Sequence, residues 1–176
     1  RRRAAIYIAE TREKGEARIY DGVVDGVECY IYPPLDTCNL SLGEIIRAKE
    51  DYTDLRVVLT PHCHLVKQPN AEAPRAENVV TVKTESAADV IGANELASIK
   101  EEDEGKQRKK IRQFTTRPSR KFGKPEGRYW YMPEFLEIPH CYCDFTQIES
   151  IGHEEVVEKY ESIAVLAPPF AESLQA

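Results

Sequence analysis

The chain has 176 residues, 41% of them hydrophobic, and a net charge of −6, enough to bury one substantial core and too few residues for two full domains. No run of eighteen apolar residues occurs, and Arg1-Arg2-Arg3-Ala4-Ala5-Ile6 lacks the apolar centre of a signal peptide, so neither membrane insertion nor secretion is supported and a cytoplasmic protein is expected. The five cysteines form no disulfide framework, which fits a reducing compartment.

In chain order, Ala17-Arg18-Ile19-Tyr20 and Val27-Glu28-Cys29-Tyr30-Ile31-Tyr32 alternate apolar and polar residues around a Gly-bearing link, the pattern of a β-hairpin. Pro33-Pro34 ends that ladder because proline has no donor for it. Ser41 to Arg47 predicts a strand, Lys49 to Asp54 a polar turn, and Leu55 to Thr60 the return strand, with Val57-Val58 fit for burial on both faces. After a loop from Gln68 to Pro74, Asn78 to Lys83 predicts another strand. Ser86 with Asp89 three residues on predicts a helix cap, opening a helix from about Ala87 toward Gln113 with an interruption near Gly105. Arg117 to Gly127 is a Pro, Gly and Lys loop, Tyr129 to Met132 resumes extended structure, and Cys141 to Ile148 alternates as a strand does. Val156, Val157, Tyr160 and Ile163 recur at helical spacing, and Ala167-Pro168-Pro169 separates that helix from the start of another.

The sum is an α+β chain, mainly β, with inserted and C-terminal helices: a small, strongly curved β-barrel or half-barrel, SH3-like in preference. The expectation is one domain over residues 1–176 with a helical and basic insertion at 87–128. The first residue is not methionine and Phe170 to Gln175 is still periodic, which suggests a domain excised from a longer chain.

Two short phrases gather the soft and imidazole ligands: Thr60-Pro61-His62-Cys63-His64 and Pro139-His140-Cys141-Tyr142-Cys143-Asp144. Zinc takes three or four N or S ligands in a tetrahedron, so Cys63, His64 (or His62), His140, Cys141 and Cys143 are candidate ligands if the phrases meet in space. Against this, neither phrase has Cys-x-x-Cys spacing, and Cys141 and Cys143, on one face of a strand, are equally read as core thiols. No catalytic residues are assigned and no cofactor other than that zinc is called for. The one triad that can be assembled, Cys63 with His140 or His153 and Asp144, lacks support from its sequence neighbours, since His62 and His64 face away from Cys63 on a continuing strand.

From Gly105 to Arg128 ten Lys or Arg stand against Glu126 alone, so the remainder of the chain is strongly acidic. The basic stretch is read first as a solvated surface that compensates the acidic body. With aromatics close by, Lys109, Lys110, Arg112, Arg117, Arg120, Lys121, Arg128 and Trp130 are also candidate contacts for nucleic acid or a protein partner.

The succession Leu42 to Arg47, Val57 to Leu65, Arg128-Tyr129 to Met132-Pro133, Cys143-Asp144-Phe145 and Ala164 to Glu172 resembles the C-terminal module of bacterial response receiver proteins, which carry an inactive receiver-like domain. The resemblance runs from Ser41 to Ala176. It implies a non-enzymatic regulatory or protein-interaction role in prokaryotic signalling or defence. Such modules carry Asp after the cysteine where this chain has His64, so any role of that acid is lost here. A small barrel with a basic stretch is also similar to PemK/MazF-type ribonuclease toxins, but their strand-borne Arg-Pro followed by an apolar run is missing: Arg117-Pro118 precedes Ser119-Arg120-Lys121. Nucleic-acid binding, or such a ribonuclease, is therefore the alternative function.

Overall fold

A computed structural model describes residues 26–34, 40–67, 74–100, 110 and 127–174. Its centre is a seven-stranded antiparallel sheet in the order β1-β7-β2-β3-β4-β6-β5. The strands are β1 (Tyr30–Ile31), β2 (Glu44–Ala48), β3 (Leu55–Val58), β4 (Asn78–Ser86), β5 (Tyr129–Met132), β6 (Cys141–Gly152) and β7 (Tyr160–Leu166). Short helices fill the links: α1 (Gly26–Cys29), α2 (His62–Leu65), α3 (Ala87–Ile91), α4 (Ala93–Lys100), α5 (His153–Lys159) and α6 (Phe170–Ser173). The fold is thus mainly β, a curled half-barrel.

Strand alternation gives the sheet two buried faces. Ile45, Val57, Val82, Cys141, Cys143, Ala164 and Leu166 share one core with Met132 and Ile138, while Ile46, Val58 and Val79 pack with Leu65 of α2 and Val156 of α5 on the other face. β3 is buried at all four positions, as its β-branched run predicts. A third cluster seats Ala87, Val90 and Ile91 of α3 on Tyr129 and Tyr142.

The curl comes from irregularity in the longest strand. β6 pairs Ile148 with Val82 but Cys143 with Thr84, so three extra residues bulge out of β6 where β4 has none, and a bulge bends its strand and raises its twist. The sheet edges then approach each other at one end. Tyr30 of β1 donates its hydroxyl to the Pro133 carbonyl, 2.8 Å away just past β5, and stacks on Phe135 at 5.3 Å. A Cβ on Gly26 would run into the Glu134 carbonyl oxygen, so α1 packs this closely only because that residue is glycine.

Several expectations are corrected. Residues 26–29 form a helical turn and leave a two-residue strand in place of the predicted Val27 to Tyr32 strand; Ala17 to Tyr20, its expected partner, lies outside the described residues. Ser41 donates its N–H and Oγ–H to the Glu44 carboxylate, making a turn where strand was expected, and β2 begins at Glu44. Ser86 accepts from the Asp89 N–H as expected, but the helix breaks already at Gly92, with φ +94°; the interruption expected near Gly105 lies outside the described residues. Tyr160 and Ile163 belong to β7 and not to a helix with Val156. No helix among the described residues is long and apolar enough to cross a membrane.

Candidate functional site

The first His-Cys phrase does not prolong its strand. Pro61 precedes the helical turn α2, which buries Leu65 and leaves His62, Cys63 and His64 exposed. The second phrase opens β6, with Cys141 and Cys143 buried in the core. Topology holds the phrases apart: the Leu59 N–H, at the end of β3, bonds the Val80 carbonyl near the start of β4, whereas the Ala87 N–H, just past the end of β4, bonds the His140 carbonyl. The six residues of strand between those points span about 20 Å. Cys63 and His64 are therefore not brought to His140, Cys141 and Cys143. Among the described residues no three His, Cys, Asp or Glu are grouped as a metal ion requires.

The chemistry of each member points the same way. Burial pushes the Cys141 thiol up to about 12 and the Cys143 thiol well above its usual value, so both stay protonated and poor ligands. Both ring nitrogens of His140 are engaged. Nδ1 lies 2.5 Å from the Tyr131 hydroxyl and accepts from the Glu134 N–H at 3.1 Å, while Nε2 lies 3.4 Å from the Glu134 carboxylate. With two donors aimed at Nδ1, the neutral ring carries its proton on Nε2.

The triad is not assembled. His153 is at the α2 end of the sheet, its N–H on the Glu77 carbonyl, and Asp144 is fully buried within a structural network. Arg128 grips Asp144 with two bonds of 2.9 and 2.6 Å; the Thr146 N–H and Oγ–H and the Gln147 side-chain amide also donate to it. Despite burial, which alone raises the pKa, these donors hold the Asp144 carboxyl far below the usual carboxylate range. Asp144 thereby secures the β6 bulge.

Of the basic candidates, Lys109, Arg112, Arg117, Arg120 and Lys121 lie outside the described residues, and Lys110 is a half-buried helical residue. Arg128 lies over the Tyr129 ring at 4.8 Å while bound to Asp144, and Trp130 packs against the core. The Tyr129 to Met132 stretch is packed rather than presented: Tyr129 and Met132 are buried, Trp130 and Tyr131 half-buried.

Exposed apolar surface instead gathers where the two sheet edges meet. A groove of about 400 Å³ runs between Tyr32-Pro33-Pro34 on one side, the Phe135 to Ile138 turn on the other, and Ser162 and Ile163 of β7. Its cause is readable in the ladder. β1 pairs Tyr30 with Leu166 and Ile31 with Val165, and the same register would set Pro33 opposite Ile163. Proline supplies no N–H, so the strand leaves β7 and the groove opens. Tyr32 is 59% and Leu136 65% exposed. Leu136 holds φ at +51°, a conformation costly for a leucine, and its exposed side chain gains no burial in return.

The groove has an acidic rim. Arg47 bonds Glu161 at 2.6 Å and Glu137 at 2.5 Å, and Glu134 adjoins Phe135. Among the described residues, Glu137 and Glu161 thus set two carboxylates against one guanidinium, while the Glu134 carboxylate lies 3.4 Å from His140 Nε2. Sequence reading missed this place because Tyr32-Pro33-Pro34 lies about a hundred residues or more from the other walls; the available signal was the pair of prolines at a ladder position after an aromatic run. No family model, no curated protein and no solved structure matches this chain.

Proposed function

We propose that the chain is a non-catalytic interaction module, SH3-like in architecture, that serves a prokaryotic signalling or defence protein by engaging a protein partner at this groove. The observation that carries the reading is the joint exposure of Tyr32 and Leu136 on either side of an apolar groove, since large side chains exposed together mark interaction surfaces more often than isolated ones do. The ionisable groups near it support the same reading. Arg47, Glu137 and Glu161 are paired with one another, and His140 is tied to Tyr131 and Glu134, which leaves no nucleophile and base poised at the groove among the described residues.

A photocrosslinking amino acid at position 32, with one at exposed Tyr52 as control, tests this in living cells. The expected result is a discrete protein adduct from position 32 that is absent from position 52 and is lost when Leu136→Asn is added. Adducts to nucleic acid, or equal labelling from both positions, would overturn the proposal.

A further inference from the structure

We propose that Tyr52, in the turn between β2 and β3, is a phosphorylation site whose phosphate takes Arg47 away from Glu137 and so disables the groove. Among the described residues most tyrosine hydroxyls are engaged or enclosed: Tyr30 donates to the Pro133 carbonyl, Tyr129 to Glu85 and Tyr160 to Asp54, Tyr131 is bonded to His140, and Tyr142 is fully buried. Tyr32 and Tyr52 are the exposed ones, at 59% and 69%. Tyr32 leans on Phe135, edge to face at 6.2 Å, whereas Tyr52 lies beneath a cation, the Arg47 guanidinium being 4.8 Å from its ring centre. Residues 49–53 are all exposed, so a kinase reaches the Tyr52 oxygen without opening the sheet. The γ-phosphoryl group of ATP passes to that oxygen: an O–P bond forms there as the bond to the departing ADP breaks, and the phenol proton goes to the kinase's catalytic carboxylate.

Arg47 decides what the phosphate does. It holds the Glu161 carboxylate with two donors, Nε at 3.0 Å and Nη2 at 2.6 Å, and the exposed Glu137 with Nη1 alone, at 2.5 Å. A phosphotyrosine brings a charge of about −1.5 to −2 and three acceptor oxygens, so the singly bonded, solvated Glu137 is the partner that gives way. Lys49 in the same turn is committed to the Val157 and Glu158 carbonyls, and Glu50 and Asp51 beside Tyr52 carry the same sign as the phosphate. Glu137 is the link to the groove. It follows Leu136 in the Phe135 to Ile138 turn that forms one wall, and the φ of +51° at Leu136 persists only while its surroundings hold it. Released from Arg47, the turn relaxes, the wall shifts and the partner is lost, a distant effect of one exchanged charge pair.

The site itself stands apart from the interaction reading, and its effect on the groove rests on that reading. Phosphopeptide mapping of the whole chain, recovered from its own cells and after treatment with ATP and a broad-specificity tyrosine kinase, is expected to find phosphate on Tyr52 ahead of Tyr32. In ³¹P titrations the second pKa of that phosphate, ordinarily about 6, should be at least about 0.5 lower in the folded chain than in urea, as a neighbouring guanidinium requires. Arg47→Gln, confirmed as folded by its thermal transition, should abolish the difference. The crosslink from position 32, formed in lysate, should fall about threefold or more on phosphorylation, and Glu137→Gln, which weakens the same tether without phosphate, should reproduce part of that fall. No phosphate on Tyr52 in cells, equal pKa values in the folded and unfolded chain, or an unchanged crosslink from fully phosphorylated chain would each overturn the inference. If Tyr52 carries phosphate with the lowered pKa while position 32 yields no adduct even in unmodified chain, the interaction reading has failed and the modification site stands; adducts without phosphate remove the inference alone.

Discussion

Asp144 was a candidate triad member by composition and is a structural residue by environment. Arg128, Thr146 and Gln147 all donate to a carboxylate with no exposed surface, and Arg128 is the charge that makes its burial tolerable. Because the folded-state pKa lies below the ordinary value of about 3.9, the stability Asp144 contributes is complete above that value and is lost as the pH falls through it toward the folded pKa. Asp144→Asn should therefore destabilise the protein at neutral pH by roughly 2 kcal/mol and flatten its loss of stability below about pH 4, both read from denaturant melts across pH. Tyr142 is the opposite case: fully buried, its hydroxyl has no hydrogen-bond partner among the described residues. Tyr142→Phe removes that cost while keeping the ring contacts to Tyr129 and Tyr131, and should be neutral or stabilising by up to about 1 kcal/mol in the same melts. The cysteines divide likewise. Cys63 should react with a thiol reagent in the native protein, and Cys141 and Cys143 only on unfolding, as mapped on peptides by mass spectrometry.

At the scale of elements, local pattern and final structure part company where one stretch satisfies two periods. Val156, Val157 and Tyr160 sit at helical spacing, yet Tyr160–Leu166 also carries the β-branched and aromatic residues a strand favours. The free edge of β2 decides the matter, since β7 gains five cross-strand pairs along it that a longer helix would forfeit. At Val27 to Tyr32 the alternation was only superficial: Cys29 and Tyr30 are adjacent and both buried, which a strand open to solvent on one face does not allow and a helical turn ahead of it does. The turn into β2 depends on one glycine. Gly43 holds φ at +77°, and a Cβ there would stand 2.7 Å from the Ala171 Cβ. Gly43→Ala combines backbone strain with a collision against α6, so a loss of roughly 2 to 4 kcal/mol is expected in thermal or denaturant unfolding.

For the whole molecule, the curl of the sheet and the groove meet at one junction. The edges are joined by side chains and not by a ladder, through Tyr30 on Pro133 and Phe135 and through the close approach of Gly26 to Glu134. Gly26→Ala should loosen that junction before it unfolds the sheet. Amide exchange is then expected to speed up at residues 30–31 and 132–138 while the β3–β4 centre keeps its protection; uniform loss of protection would show instead that the junction and the sheet are one cooperative unit.

Local sequence was enough for the sheet-rich class, the β2–β3 hairpin with its doubly buried return strand, the Ser86 cap and the extended stretches at Tyr129 and Cys141, because each is a matter of local period, turn chemistry or a missing proline donor. Tertiary structure alone decided the rest. It set the two His-Cys phrases at opposite ends of β4, assigned Tyr160 and Ile163 to a strand, committed Asp144 and Arg128 to each other, and brought Tyr32 beside Leu136 and Ile163. Those outcomes depend on which strands pair and in what register, a choice fixed by burial on both faces of a curved sheet and by contacts more than a hundred residues apart in the chain.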